Sequence, residues 1–184
     1  MSSIRPHTVD LLKSFTPVDA TESQHHARML MLTGVSGDPF SRKHFEPGHF
    51  TASAFVLSPD SRSLLLIYHT KLQRWLQPGG HVEPTDTDLF ATAAREIVEE
   101  VAIAAPLRVG NRIFDVDIHP IPARKDEPGH EHFDVRFLYR ATSLDMTANA
   151  EVSDARWVAI DEITLESSDE SIMRAIQKLQ GFTR

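Results

Sequence analysis

Two stretches of this chain are built for chemistry: Gly79-Gly80-His81-Val82-Glu83-Pro84 and, after a short polar run, Arg95-Glu96-Ile97-Val98-Glu99-Glu100. On a helix, positions 96, 99 and 100 are spaced i, i+3 and i+4, so three carboxylates project from one face. Anionic oxygens held that close repel unless something neutralises them, and a hard divalent cation is the natural partner of such donors. A polyphosphate group needs the same ion before its anhydride bond can be attacked. Taken alone, the adjacent glutamates would read as a solvated helix face. Arg95, Glu96 and the paired glycines turn the reading toward metal binding. Arg95, four residues before Glu99, is placed to hold a carboxylate by a bidentate contact and to orient it from behind the coordination sphere.

The order and spacing resemble the signature of the Nudix hydrolases: Gly, five residues, Glu, seven residues, then Arg-Glu-apolar-x-Glu-Glu-x-Gly-apolar. Gly80 matches the first Gly, and Arg95, Glu96, Ile97, Glu99, Glu100 and Ile103 match the second half. Two positions depart from it. The run from Gly80 to Arg95 is one residue longer, so the signature's first Glu falls near Asp86, Thr87 or Asp88, and Ala102 stands where the pattern has Gly. The resemblance implies an α/β/α sandwich with a mixed sheet. It also implies Mg²⁺, with Mn²⁺ as the alternative, held by Glu96, Glu99, Glu100 and the backbone carbonyl of Gly80. The implied reaction is hydrolysis of a phosphoanhydride bond in a nucleoside diphosphate linked to another group, or in a related nucleotide. Glu99, Glu100 and Arg95 are the catalytic candidates at the helix. A further base is expected from outside it, among Glu127, Glu131 and Asp134, with Glu131 taken forward. Gly79, His81 and His132 are the candidate substrate contacts.

Other readings remain beside this one. The altered signature also suits a catalytically weak nucleotide-binding or sensing module. The isoprenoid diphosphate isomerases, which resemble this fold, rely on a cysteine, and this chain has none. His49, His81, His119, His130 and His132 are polar positions flanking a cleft, or else contact phosphate or bind a softer metal. His130 and His132 are two apart, so on a strand they face the same way. Trp75 and Trp157 are expected in the core, with base stacking as the alternative. Asp88 is expected chiefly as a helix N-cap, and the paired glycines also suit a tight turn.

Composition narrows the function classes. The chain has 184 residues, enough for a single domain (1–184) with a 48–180 core and a helical N-terminal extension, 1–45. A net charge of -7 disfavours a nucleic acid polymer as partner. An acidic protein acting on anionic phosphates needs cations between them. The absence of cysteine excludes disulfides, thiolate zinc sites and thiol nucleophiles. There is no signal-peptide core and no apolar run of membrane-spanning length, so a cytoplasmic protein with no membrane partner is expected. The N-terminal extension is expected to cover the cleft or to build a homodimer interface.

The elements that must position these residues follow from periodicity. Helices are expected over 8–15 and 19–33, the second capped by Asp19 with Glu22 completing a capping box and stopped by Gly34. Residues 50–57 and 64–68 read as a hairpin of buried strands around the Ser58-Pro59-Asp60-Ser61 turn. A helix over 88–101 buries Leu89, Ala93, Ile97 and Val101 on one stripe. Strands are expected over 107–118, 132–141 and 155–160, with a mobile, solvated loop over 119–131, and an amphipathic helix over 171–180.

Overall fold

The computed structural model describes residues 4–69, 73–149 and 152–182. Met1 to Ser3, part of the stretch searched for a signal peptide, lie outside the described residues. In chain order the elements are α1 (Ile4–Ser14), α2 (Ala20–Thr33), β1 (Gly48–Leu57), β2 (Ser63–His69), β3 (Arg74–Leu76), β4 (Gly79–His81), α3 (Leu89–Val101), β5 (Leu107–Arg108), β6 (Asp115–Ile121), β7 (His130–Arg140), β8 (Ala155–Ala159) and α4 (Glu170–Phe182). The fold class is α/β, a mixed sheet with flanking helices. The elements fall into two compact units, and β1, β7 and α3 contribute residues to both.

The first unit holds residues 1–53, 79–93 and 110–137. Its helices start and stop where side chains can satisfy the free backbone groups. Asp19 Oδ1 accepts the Glu22 N–H at 2.7 Å, and the Glu22 carboxylate reaches back to the Val18 N–H at 2.8 Å. This is a capping box whose return bond lands one residue before the cap. Gly34 ends α2 with φ -92, in the right-handed region, so its flexibility is not what stops the helix. Instead Arg5 on α1 donates to Thr33 O at 2.8 Å, Val35 O at 3.1 Å and Gly37 O at 2.5 Å, taking up the carbonyls beyond the last turn. α1 begins at Ile4, earlier than residue 8, because Pro6 is tolerated in a first turn, where its missing N–H has no partner to lose.

The strands of this unit are β4, the first half of β1, β6 and most of β7. β6 and β7 form a long antiparallel ladder from Asp115↔Arg136 to Ile121↔His130. β4 pairs antiparallel with β1 through Thr51↔His81, Ala52↔Gly80 and Ser53↔Gly79. β1 lies beside β7. The Glu131 N–H donates to Pro47 O at 3.0 Å, and the Ser53 hydroxyl reaches Asp134 at 2.7 Å. Position rises together along both strands, so this pair runs parallel, which is what makes the sheet mixed. Phe50 stacks on Phe40 at 5.0 Å and meets Phe133 edge-on at 6.2 Å; Phe90 packs on Phe137 at 4.1 Å. Arg136 is also buried, 2% exposed. Its guanidinium binds Asp134 at 2.8 Å, Asp117 at 3.2 Å and Asp115 at 3.3 Å. Burial pulls its pKa down, but Asp117, Asp134 and Asp115 more than offset that and raise it well above the ordinary arginine value.

The second unit holds residues 54–78, 94–109 and 138–184. β2 pairs antiparallel with β1 at Leu57↔Leu64, with β3 from Ile67↔Leu76 to His69↔Arg74, and with β8 from Ser63↔Ala159 to Ile67↔Ala155. The expected turn closes the hairpin, with Ser61 at φ 60 and the Ser58 hydroxyl on Asp60 at 2.6 Å. Leu64, Leu65, Leu66, Ile97, Val101, Ile172, Ala175, Ile176 and Leu179 form its buried apolar set. The stripe expected on α3 and the apolar side of the last helix are therefore both inside.

Three expectations need correction. Residues 107–118 are not one strand: Gly110 takes φ 79 and breaks it, leaving β5 and β6 to pair with different stretches of β7. Residues 119–131 are not a mobile loop throughout. The ladder continues through His119↔His132, Pro120↔Glu131 and Ile121↔His130, and an Arg124↔Glu127 bridge closes the tip. The two tryptophans are half-buried rather than core. The Arg156 guanidinium sits 4.7 Å over Trp75, and the Trp157 indole N–H donates to Leu144 O at 3.0 Å, because each indole keeps one polar partner that the core lacks.

Two stability outcomes follow. Removing the central cation of a buried charge cluster leaves uncompensated carboxylates, so Arg136→Met is expected to cost about 3–5 kcal/mol in urea unfolding. At the end of α3, Ala102 takes φ 54 while its N–H bonds Val98 O at 3.0 Å. A side chain there is strained where glycine is not. Ala102→Gly is therefore expected to stabilise by roughly 0.5–1 kcal/mol, read as a higher thermal midpoint.

Candidate functional site

The acidic face rests on a helix secured at both ends. At its start, Asp88 Oδ1 accepts the Ala91 N–H at 2.8 Å, the N-cap expected of it. Asp86 is tied into the preceding turn, accepting from the Glu83 N–H at 2.9 Å and the Thr92 hydroxyl at 2.9 Å. Both aspartates near the signature's missing Glu thus serve the turn and the cap. At the other end, three carbonyls of the last turn find partners. Glu99 O accepts from the Asn149 side-chain amide at 2.7 Å, Glu100 O from the Asn149 N–H at 2.9 Å and Val101 O from the Thr147 N–H at 2.9 Å. Sequence reasoning missed Thr147 and Asn149, since nothing local marks a distant segment as a C-terminal cap.

Opposite the buried stripe, Arg95 Nη1 donates to Glu96 Oε1 at 3.0 Å and to Glu99 Oε2 at 2.7 Å. One Arg95 nitrogen thus reaches two carboxylates. Glu96 is largely covered, while the Glu99 side chain is 53% exposed and Glu100 is half-buried. Glu96 and Glu99 share one cation that holds their direction, and oxygen donors of this kind suit a hard divalent ion, although among the described residues the three glutamates do not bring their oxygens within 4.8 Å of one another.

Gly79, Gly80 and His81 belong to the first unit, and the three glutamates to the second. The paired glycines do not form the turn that their type suggested. They lie in β4, neither with positive φ. A Cβ on Gly79 would sit 2.3 Å from the Ser53 Cβ and 2.9 Å from Ala52 O, so the residue is glycine because β1 passes too close for anything larger.

The first unit also gathers the histidines. His49 on β1, His81 on β4 and His132 on β7 each place a ring nitrogen within 4.8 Å of the other two. Their ring centroids are 4.9 to 5.1 Å apart. His130 flanks His49 at 5.0 Å and His132 at 5.4 Å, and His119 flanks His132 at 5.4 Å. The five histidines singled out along the sequence thus converge. His49 is 1% exposed; its Nδ1 lies 3.1 Å from His44 O, and its Nε2 is buried without a hydrogen-bond partner. Burial, aided by the neighbouring His130, lowers the His49 pKa to about 4. Burial and then the charges of His81, His119, His49 and His130 lower that of His132 to about 2.

The candidate bases differ in their surroundings. The Asp134 carboxylate is buried and fully used, accepting from the Thr51 hydroxyl at 3.1 Å, the Ser53 hydroxyl at 2.7 Å and Arg136 Nε at 2.8 Å. Glu131, in β7, is ion-paired with Arg28. Glu127, at the hairpin tip, is 3.9 Å from Arg42.

A sequence model of the NUDIX domain matches residues 47–178. No curated protein sequence matches the chain. Among solved structures, it is similar to a NUDIX-family hydrolase from Clostridium perfringens, with 22% identity, 73% of this chain and 97% of that chain covered, and a TM-score of 0.53. It is also similar to a C. elegans Ap4A hydrolase in a binary complex (17% identity, 73% and 96% covered, TM-score 0.52). A third is the NUDIX domain of Shewanella oneidensis NrtR complexed with ADP ribose (17% identity, 73% and 88% covered, TM-score 0.53). At these identities the likeness is one of fold.

The histidine environment sets a pH response. His49 and His132 are neutral in the folded chain down to about 4 and about 2, whereas in the unfolded chain each takes a proton near the ordinary histidine value of 6.5. The unfolded state therefore binds more protons as the medium is acidified, and stability is lost as pH falls through that value. Urea midpoints measured between neutral pH and pH 5 are expected to fall, and the fall should be shallower in His132→Asn.

Proposed function

Because the chain belongs to the NUDIX family of hydrolases, we propose that it cleaves a phosphoanhydride bond in a nucleoside diphosphate linked to another group, or in a related nucleotide. The observation that carries this reading is the convergence of Glu96 and Glu99 on Arg95, on a helix whose sequence matches the family signature. The proposed ligands of Mg²⁺, with Mn²⁺ as the alternative, are Glu96, Glu99, Glu100 and the Gly80 carbonyl. When bound, such an ion neutralises phosphoryl oxygens and makes its water a better nucleophile.

The residues of the chain do the rest. Arg95 holds two carboxylates in fixed directions, so they need little reorganisation on use. Glu99 keeps half of its side chain in solvent, and with Glu100 it orients the attacking water and accepts its proton. Glu131 is a second candidate for that proton. It is ion-paired with Arg28 on α2 and lies in the first unit, whereas Glu99 shares the α3 face with the other proposed ligands, so Glu99 is the better choice. Gly79, His81 and His132 are the proposed phosphate-side contacts, with the neutral His132 imidazole able to donate a hydrogen bond without adding charge. The Ap4A hydrolase and the ADP-ribose complex among the similar structures support a nucleotide-like substrate. A small-molecule substrate also suits a chain of net charge -7 that reaches phosphate through cations. Residues 1–184 are proposed to act as one domain in the cytoplasm; among the described residues no helix is long and apolar enough to cross a membrane.

A second reading, a nucleotide-sensing module with weak catalysis, draws on one observation. Asp86 and Asp88 are engaged in the turn and the cap, so neither replaces the signature's first Glu without giving up a bond. Turnover separates the two. With Mg²⁺ or Mn²⁺, wild-type protein is expected to hydrolyse at least one member of a panel of nucleoside triphosphates, dinucleoside polyphosphates, nucleotide sugars and coenzyme pyrophosphates. Chelation should abolish the activity. Glu99→Gln and Glu100→Gln should each lower kcat by at least about 100-fold. Binding by calorimetry with no product across the panel would favour the sensing module instead.

A further inference from the structure

We propose that His49, His81 and His132 form a second metal site, selective for a borderline divalent ion of the zinc class and separate in chemistry from the carboxylate helix. The three imidazoles come from three strands, β1, β4 and β7, whose register is set by ladders rather than by a loop. Their donor nitrogens lie within 4.8 Å of one another. Metal–nitrogen bonds of about 2.0–2.1 Å at tetrahedral angles put donors about 3.4 Å apart, so binding draws the set together by no more than about 1.4 Å.

The strongest observation is at His49. Its Nδ1 faces a carbonyl acceptor, His44 O at 3.1 Å, so Nδ1 carries the proton and Nε2 carries the lone pair. That Nε2 is buried and without a hydrogen-bond partner, on a side chain 1% exposed. An unpaired buried acceptor is costly, and a ring fixed by a backbone carbonyl on its far nitrogen is the arrangement that presents the near nitrogen to a metal. An ion at the centre of the three rings removes that cost.

The donor set decides the kind of ion. Three neutral imidazoles bring no negative charge and no oxygen, which disfavours Mg²⁺ or Ca²⁺ and favours zinc, cobalt or nickel. Three protein ligands leave a fourth position open, as in sites that bind an exogenous oxygen. A phosphoryl oxygen fits that position. The acidic helix and the imidazole cluster would then take different ions, and the second site stands whether or not the first is catalytic.

The test uses the full-length protein, freed of metal by chelator and titrated with Co²⁺ under visible absorption, followed by displacement with Zn²⁺. Wild type is expected to take up one equivalent with the intense bands of four-coordinate cobalt, and Zn²⁺ should abolish them. His81→Gln, at a half-buried position, and His132→Asn should each weaken uptake at least tenfold, while Glu99→Gln should leave the spectrum unchanged. The proposal is overturned if wild type shows no such bands, if both histidine variants bind as wild type, or if Glu99→Gln removes the signal and so places the ion on the carboxylates. Should His132→Asn fail to fold by circular dichroism, His81→Gln alone decides. Hydrolysis is not the readout, so loss of the enzymatic reading would leave this result standing.

Discussion

One guanidinium governs the first unit. Arg136, 2% exposed, is shared by Asp115 and Asp117 on β6 and Asp134 on β7. Taking these charges out of water is expensive, and the expense is recovered only if every partner sits at hydrogen-bonding distance. That requirement fixes the β6–β7 register. It reaches further through Asp134, whose carboxylate also accepts from Thr51 and Ser53 on β1. Ser53 in turn lies against Gly79, where the lack of a side chain lets β4 pair closely. The three strands that carry His49, His81 and His132 are thus held by one connected set of polar contacts.

The N-terminal extension joins that set. α2 packs on β6, and Arg28 reaches across to Glu131 and lies 5.4 Å over the Phe133 ring. His25 approaches Asp117 at 3.7 Å. With α1 packed on α2 and α2 on β6, residues 4–33 belong to the framework of the first unit.

Two kinds of donor have been kept apart by chemistry. Glu96 and Glu99 of α3 share Arg95, and their helix is tied down by Thr147 and Asn149. His49 and His132 have a different character: burial, with the neighbouring histidines, holds both neutral. Hard oxygen and borderline nitrogen prefer different ions, which is the basis for proposing two sites of different metal preference.

The sequence by itself determined whatever rests on local spacing. Four-residue recurrence put Leu89, Ala93, Ile97 and Val101 on one side of a helix and Arg95, Glu96 and Glu99 on the other, and Asp19 and Asp88 announced their caps by type. These features depend on neighbours within a turn or two, which a linear reading contains. Only the tertiary structure decided that Gly79 and Gly80 lie in a strand, that residues 119–121 and 130–131 extend a ladder, and that Asp134 is consumed by Arg136 rather than left as a base. It alone brought His49 beside His132, more than eighty positions away along the chain. Those outcomes depend on which backbone passes within van der Waals distance and on which buried charge must find a partner, and neither is written in the spacing of residues along the chain.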